Sequence, residues 1–449
     1  MLKTEFINEI REMLGDETPA FLRALDEKPT LAMRVNPLRP GAYEAAQEYL
    51  GDKVPWADNG YYIKEGTRPG ASLQHDLGAF YLQEASAMVS ASVLNAQPGE
   101  KVLDLCAAPG GKTTQIAAGM MGKGLLVSNE PVPSRAKVLA ENLERMGVVN
   151  AVAVSAYPDQ LAKAWPDVFD AILVDAPCSG EGMFRREPAS RDEWQPGSPE
   201  GCAKRQAEIL EQAAKMLRPG GRLVYSTCTF NRAENEGSID TFLKNHPEFT
   251  AEEYELYGIG RSECGMMRVW PHRVRGDGHF VCRLRKSESA PLSGKVRKDK
   301  KKGGKPVTKA AAKTVSEETP EQLLKRLEKD ICAIPECLRN GRLIRQADYV
   351  HLLPEGTPEL DGIKTMKPGV CLMRVGRSHV QPMPALARAC GEGVNLAKAK
   401  RQVGLTDEEA QRVQKGEKLS FEGREPGWTL MTWKGLPMGF VKISPFGAG

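Results

Sequence analysis

From Lys101 onward the chain repeats one unit: a short apolar run, a loop of small or polar residues, then an amphipathic stretch of helix length. Runs at 101–105, 124–129, 150–154, 169–174, 221–226 and 278–284 alternate with helical spacings at 113–121, 133–146, 203–217 and 234–244. Alternation of this kind predicts a mostly parallel sheet covered by helices on both faces, a doubly wound α/β fold. In such a sheet the carboxyl ends of neighbouring strands open onto one crevice, so the loops after the apolar runs are where chemistry is expected.

At 449 residues the chain is too long for one ordinary core. Residues 1–65 read as a small α/β unit with RNA-binding character. Phe6, Ile7, Ile10, Met13 and Leu14 fall at helical spacing, and 31–36 alternates like a strand that Pro37 ends. Residues 66–286 form the sheet domain, entered through a helix expected at 77–95 with Gln83 and Glu84 exposed. Residues 287–318 lose apolar periodicity and gather Lys295, Arg297, Lys298, Lys300, Lys301, Lys302, Lys305, Lys309 and Lys313 against Asp299. This reads as a flexible linker, either a solvated spacer or a polyelectrolyte contact. Residues 319–449 read as a small α+β domain closed by a hairpin of 428–433 and 438–443.

The formal charge of +4 is mild and selects no partner by itself. The ten cysteines show no C-x-x-C pair and no spaced histidines, so neither a zinc site nor a disulfide framework is expected, and reduced thiols in the cytoplasm fit best. No apolar run approaches the ~20 residues of a membrane span.

Leu103-Asp104-Leu105-Cys106-Ala107-Ala108-Pro109-Gly110-Gly111-Lys112-Thr113 sets small residues between strand and helix, where backbone amides can approach a ligand. A Walker loop would need glycine where Cys106 stands, which leaves an ordinary tight turn or a different ligand. Glu130 closes the next strand, where nucleoside-binding α/β domains place an acid for the ribose hydroxyls. No G-x-G-x-x-G occurs here, so an adenosine-type cofactor is favoured over a dinucleotide.

Two cysteines stand apart from the rest. Cys178, in Asp175-Ala176-Pro177-Cys178, and Cys228, in Ser226-Thr227-Cys228, each follow a strand-like run and sit among small residues. The alternative for any one cysteine is a buried small apolar side chain. Placed at neighbouring strand ends, the two offer covalent chemistry, with Asp175 able to accept a hydrogen bond from a substrate amino group.

These motifs, with Arg34-Val35-Asn36, Gln83-Glu84-Ala85-Ser86, Pro271-His272-Arg273 and Gly276-Asp277-Gly278-His279-Phe280, resemble the NOL/NOP/Sun family of RNA cytosine-5 methyltransferases, most closely its bacterial members that act on small-subunit ribosomal RNA. The likeness covers about residues 30–286, and more loosely a PUA-like carboxyl-terminal RNA-binding region. It implies a Rossmann-like domain using S-adenosylmethionine, lined by Cys106, Ala107, Ala108, Pro109, Gly110, Gly111 and Lys112. Glu130 would hold the ribose, Arg135 would lie nearby, and Asp175 would sit between cofactor and target base. Cys228 would be the nucleophile, and Cys178 would help release the product, with no metal involved. Relatives often carry an aspartate after the third strand, where this chain reads Ser155-Ala156-Tyr157, and they run further past the hairpin than Gly449. The partner is RNA, and a monomer is expected. Arg185, Arg186, Lys204 and Arg205 near the site, and Trp433, Lys434 and Lys442 in the last domain, are candidates for tracking it. A transfer RNA substrate and a non-catalytic RNA-binding or assembly factor remain the alternatives.

Overall fold

The computed structural model describes residues 2–294, 318–377, 379–391 and 396–444. The basic run at 295–317, and with it most of the expected linker, lies outside the described residues.

Among the described residues the central sheet has nine strands. Along it lie Phe249–Ala251, His279–Lys286, Leu217–Thr227, Phe169–Asp175, Lys101–Asp104, Leu125–Asn129, Ala151–Ser155 and Lys364–Lys367, while Met266–Val269 pairs beside His279–Lys286. The five strands from Leu217–Thr227 to Ala151–Ser155 are parallel. His279–Lys286 runs antiparallel to its neighbour. Alternate residues serve two cores: Val102, Leu126, Leu173 and Val224 on one face, Leu103, Val127, Ile172 and Leu223 on the other. Chain order reverses between Lys101–Asp104 and Phe169–Asp175, so the loops after these two strands part and leave a crevice.

The amino-terminal unit extends past residue 65. The segment expected as a helix at 77–95 instead gives a strand, Phe80–Leu82, that pairs antiparallel with Ala32–Val35, and a 3-10 turn at Ser86–Met88 leads into α-helix only at Val89–Leu94. Gly78, at φ +73°, breaks any helix there, and its missing side chain admits the Arg145 carbonyl, to which an added Cβ would stand 2.1 Å away. Gln83 and Glu84 are not free surface groups either. Gln83 accepts from Arg34 at 2.6 Å, and Glu84 accepts from the amides of Ala87 and Asp277 at 3.0 and 2.9 Å.

The carboxyl-terminal region is built into the rest of the chain. Lys364–Lys367 adds an edge strand to the central sheet against Ala151–Ser155. The hairpin Gly427–Trp433 and Leu436–Ile443 buries Trp433, Leu436 and Ile443 with Met33, Val35 and Phe80 of the amino-terminal unit. Arg39 joins three parts at once, donating to the Arg145 and Arg388 carbonyls at the ends of two helices, where the helix dipole favours a cation.

Lys367 is buried, and its ammonium meets the carbonyls of Gly369, Ala151 and Val148 at 2.8, 3.4 and 3.2 Å. Burial drives its pKa down from 10.5 to about 8. Between these values the unfolded chain binds the proton more tightly than the folded one. The stability cost of this charge is therefore full below pH 8 and fades as pH rises towards 10.5. Relative to Lys367→Met, the native chain should gain about 3 kcal/mol across that window, measured by denaturant unfolding of both proteins at matched pH.

Candidate active site

Two parallel neighbours carry the thiols. Asp175 and Ser226 are register partners at the ends of Phe169–Asp175 and Leu217–Thr227, so the loops leave the sheet side by side. Cys178 Sγ and Cys228 Sγ lie 3.2 Å apart, and both residues are partly exposed. The Cys228 contact, then burial, then the charge of Glu234 push the Cys178 thiol well above its ordinary pKa.

Two buried glutamates brace these loops. Glu181 accepts from the amides of Phe230 and Asn231 at 2.7 and 2.9 Å, and from Trp194 Nε1 at 3.2 Å. Glu234 accepts from the Ser179 amide and hydroxyl and from the side-chain amides of Asn231 and Gln206. Gly182 closes the gap: its amide donates to the Cys228 carbonyl at 2.7 Å, and a Cβ there would stand 2.7 Å from the same oxygen. Behind the loops, Phe184 and Phe230 pack on Phe6 and Phe21 of the amino-terminal helices Thr4–Leu14 and Thr18–Asp26.

Asp175 spans the crevice. Its Oδ2 meets Lys112 Nζ at 2.7 Å, and its Oδ1 accepts from Ser226 Oγ at 2.8 Å with His279 Nε2 3.6 Å away. Burial alone would raise this carboxyl, but Lys112 and His279 outweigh it and hold it well below the usual carboxylate range. His279 is itself pushed down by burial and by Lys112, and its Nε2 has no hydrogen-bond partner among the described residues. The site thus holds a fixed carboxylate next to a buried imidazole and two cysteine side chains.

On the other side of the crevice the loop 105–110 leads into the helix Gly111–Met120. Gly110, at φ +112°, makes the turn. Ala107 N donates to the Asn129 carbonyl, while the carbonyls of Ala108, Pro109 and Gly111 accept from Arg135, Asn142 and Arg34 at 3.2, 2.9 and 2.5 Å. Cys106 lies in the loop with its thiol pushed up by burial. Glu130, only 3% exposed, pairs with Arg135 at 3.2 Å and accepts from the Val132 amide at 2.9 Å. Asp104 below the loop accepts from Thr113 Oγ1 at 2.6 Å, its Oδ1 has no partner among the described residues, and burial raises its pKa to about 7.

Cys178, Cys228, Asp175 and Lys112 are therefore brought together, with the loop of Cys106 to Gly111, Glu130 and Arg135 on the other wall. Arg185 and Arg186 are corrected. Arg185 donates to the Lys28 and Gly276 carbonyls and faces Asp277 at 3.7 Å, and Arg186 grips Asp277 at 2.7 Å, so both hold the amino-terminal unit to the site and neither is free for phosphate. Trp433 is corrected too, since it is buried, with Nε1 on Asp407 at 2.7 Å and Lys434 over its ring. Lys204, Arg205 and Lys442 stay exposed. Sequence reasoning gave no role to Asp104, Ser226, His279, Glu181 or Glu234. The signal for the two glutamates was their spacing, three residues after Cys178 and six after Cys228.

Comparisons with known proteins agree with this architecture. Residues 91–285 match the family described as 16S rRNA methyltransferase RsmB/F, residues 2–85 the N-terminal domain of 16S rRNA methyltransferase RsmF, and residues 400–445 the methyltransferase RsmF PUA domain. The ribosomal RNA small subunit methyltransferase F of Shewanella piezotolerans is 34% identical over 407 residues, covering 87% of this chain and 82% of that protein. The enzyme of the same name from Pectobacterium atrosepticum is 38% identical over 309 residues, covering 65% of this chain and 64% of that one. Among solved structures, a methyltransferase homolog protein from Pyrococcus horikoshii superposes with a TM-score of 0.54 at 29% identity, covering 63% of this chain and 94% of that one. NSun6 from the same organism gives 0.56 at 23% identity, covering 63% and 98%, a likeness of fold.

Proposed function

We infer, for a chain that belongs to the ribosomal RNA small subunit methyltransferase F family, that it transfers a methyl group from S-adenosylmethionine to carbon 5 of a cytosine in 16S rRNA. The observation that carries the chemistry is the pair of cysteine sulfurs 3.2 Å apart in loops at the strand ends where Asp175 meets Lys112 Nζ at 2.7 Å. The fit to the cofactor rests on the other wall: a nearly buried Glu130 for the ribose hydroxyls, a glycine turn that lets a ligand approach the backbone, and the unpartnered Asp104 Oδ1. Bound there, S-adenosylmethionine supplies an electrophilic methyl group.

Carbon 5 of cytosine is a poor nucleophile until something adds at carbon 6. Cys228 adds there, turning the ring into an enamine whose carbon 5 takes the methyl. Asp175, held ionised by Lys112, accepts a hydrogen bond from the exocyclic amino group and fixes the ring edge against the thiols. Cys178 then removes the carbon 5 proton, and the bond to Cys228 breaks. The base reaches this crevice only unstacked from its RNA. Lys204 and Arg205, exposed on the helix Ser198–Met216, would meet its phosphates. Ribosomal RNA places the work in the cytoplasm, and among the described residues no helix is long and apolar enough to cross a membrane.

Bisulfite sequencing of ribosomal and transfer RNA from a deletion strain tests the substrate: a cytosine in 16S rRNA should lose protection and regain it on complementation. Loss confined to transfer RNA contradicts the assignment. Glu130→Ala should weaken S-adenosylmethionine binding roughly 10- to 100-fold by calorimetry, the size of losing hydrogen bonds to a charged acceptor.

A further inference from the structure

We propose that Glu234 is a positioning residue for product release: it fixes the Cys178 loop and takes up the proton that Cys178 must shed before it can remove one from carbon 5. The inference rests on the two-thiol reading above. Glu234 is fully buried, and Ser179, next to Cys178, reaches it through both its amide, at 3.0 Å, and its hydroxyl. Its other donors are Asn231 Nδ2 and Gln206 Nε2, each at 2.7 Å. A backbone amide, a hydroxyl and two neutral amides can orient a carboxylate without a full opposing charge. Burial accordingly raises its pKa, which makes it a better base than a surface glutamate.

The need for such an acceptor follows from the thiol itself. Once Cys228 is bonded to carbon 6, burial and the charge of Glu234 still keep the proton on Cys178. A thiol that keeps its proton cannot act as a base. Asp175 is a poor candidate to receive it, because Lys112 holds that carboxylate ionised, and Cys228 is by then bonded to carbon 6. Glu234 is the carboxylate bonded to this loop, through the Ser179 amide and a hydroxyl that also lies 2.9 Å from Thr229 Oγ1.

The step balances. After methyl transfer, Cys178 passes its proton to the Glu234 carboxylate. The Cys178 thiolate takes the hydrogen from carbon 5, and that bonding pair re-forms the double bond between carbons 5 and 6. The carbon 6 to sulfur bond breaks with its electrons on Cys228. One proton per turnover then leaves Glu234 for water.

The test is rapid-quench kinetics with small ribosomal subunits from a deletion strain and S-adenosylmethionine labelled in the methyl group, comparing Glu234→Gln, Glu234→Asp, Ser179→Ala and Cys178→Ala. Glu234→Gln should methylate its first equivalent within about 3-fold of the native rate and then stay attached to the RNA, with turnover down about 100-fold. Glu234→Asp, which keeps a carboxylate, should recover to within about 10-fold. A Glu234→Gln protein that turns over normally, or that loses the first methylation together with the adduct while Glu234→Asp does no better, overturns the proposal. Should Glu234→Gln not fold, Ser179→Ala must show the same stalled adduct, and normal turnover there overturns it. Absence of any adduct with Cys178→Ala instead sinks the two-thiol reading, which separates the two failures.

Discussion

Cys228→Ala is expected to lose methylation by about 10⁴-fold or more while binding S-adenosylmethionine as the native protein does. Removing a nucleophile that acts at the head of a covalent sequence leaves only positioning and binding to help the reaction. Among the described residues no other group is placed to substitute. Cys178 is adjacent, but with Cys228 gone its thiol is still pushed up by burial and by the charge of Glu234, and Cys106 is pushed up by burial. Transfer of labelled methyl to small subunits measures the loss, and calorimetry measures the cofactor. Substantial residual methylation would place the nucleophile elsewhere.

Cys178→Ala should fail differently, because attack and methyl transfer precede the step it serves. The variant should complete one methylation and remain joined to its product, with turnover down by roughly 10²- to 10⁴-fold. Denaturing electrophoresis with labelled RNA should show a slow band for Cys178→Ala that is absent from the double variant with Cys228→Ala. Alanine leaves the Glu181 and Glu234 braces untouched, so the loop should keep its position.

The crevice was legible because its parts are local. The strand ends at Asp175 and Thr227, and the small residues at 106–111, are each readable within a dozen residues. Proximity of the thiols followed from two parallel runs being sheet neighbours. What the sequence hid depends on distant partners. Phe80–Leu82 is a strand because Ala32–Val35 lies beside it and Gly78 interrupts the helix. Arg185 and Arg186 read as phosphate contacts because Asp277, about ninety residues on, cannot be seen from their neighbourhood. The four residues Lys364–Lys367 carry no signal that they join a sheet edge at Ala151–Ser155, although this makes the carboxyl-terminal region part of the catalytic body. Trp433 read as a candidate for tracking RNA, yet it closes the core beneath the hairpin.

The central claim is a covalent bond between Cys228 and carbon 6 of the methylated cytosine. Cys178→Ala stalled on small subunits, digested with nuclease and trypsin and analysed by tandem mass spectrometry, tests it most directly. The account predicts a methylated cytidine on peptide 223–232, which contains Cys228 and no other cysteine. An adduct on any other peptide, or a stalled complex with no covalent nucleotide, would contradict it.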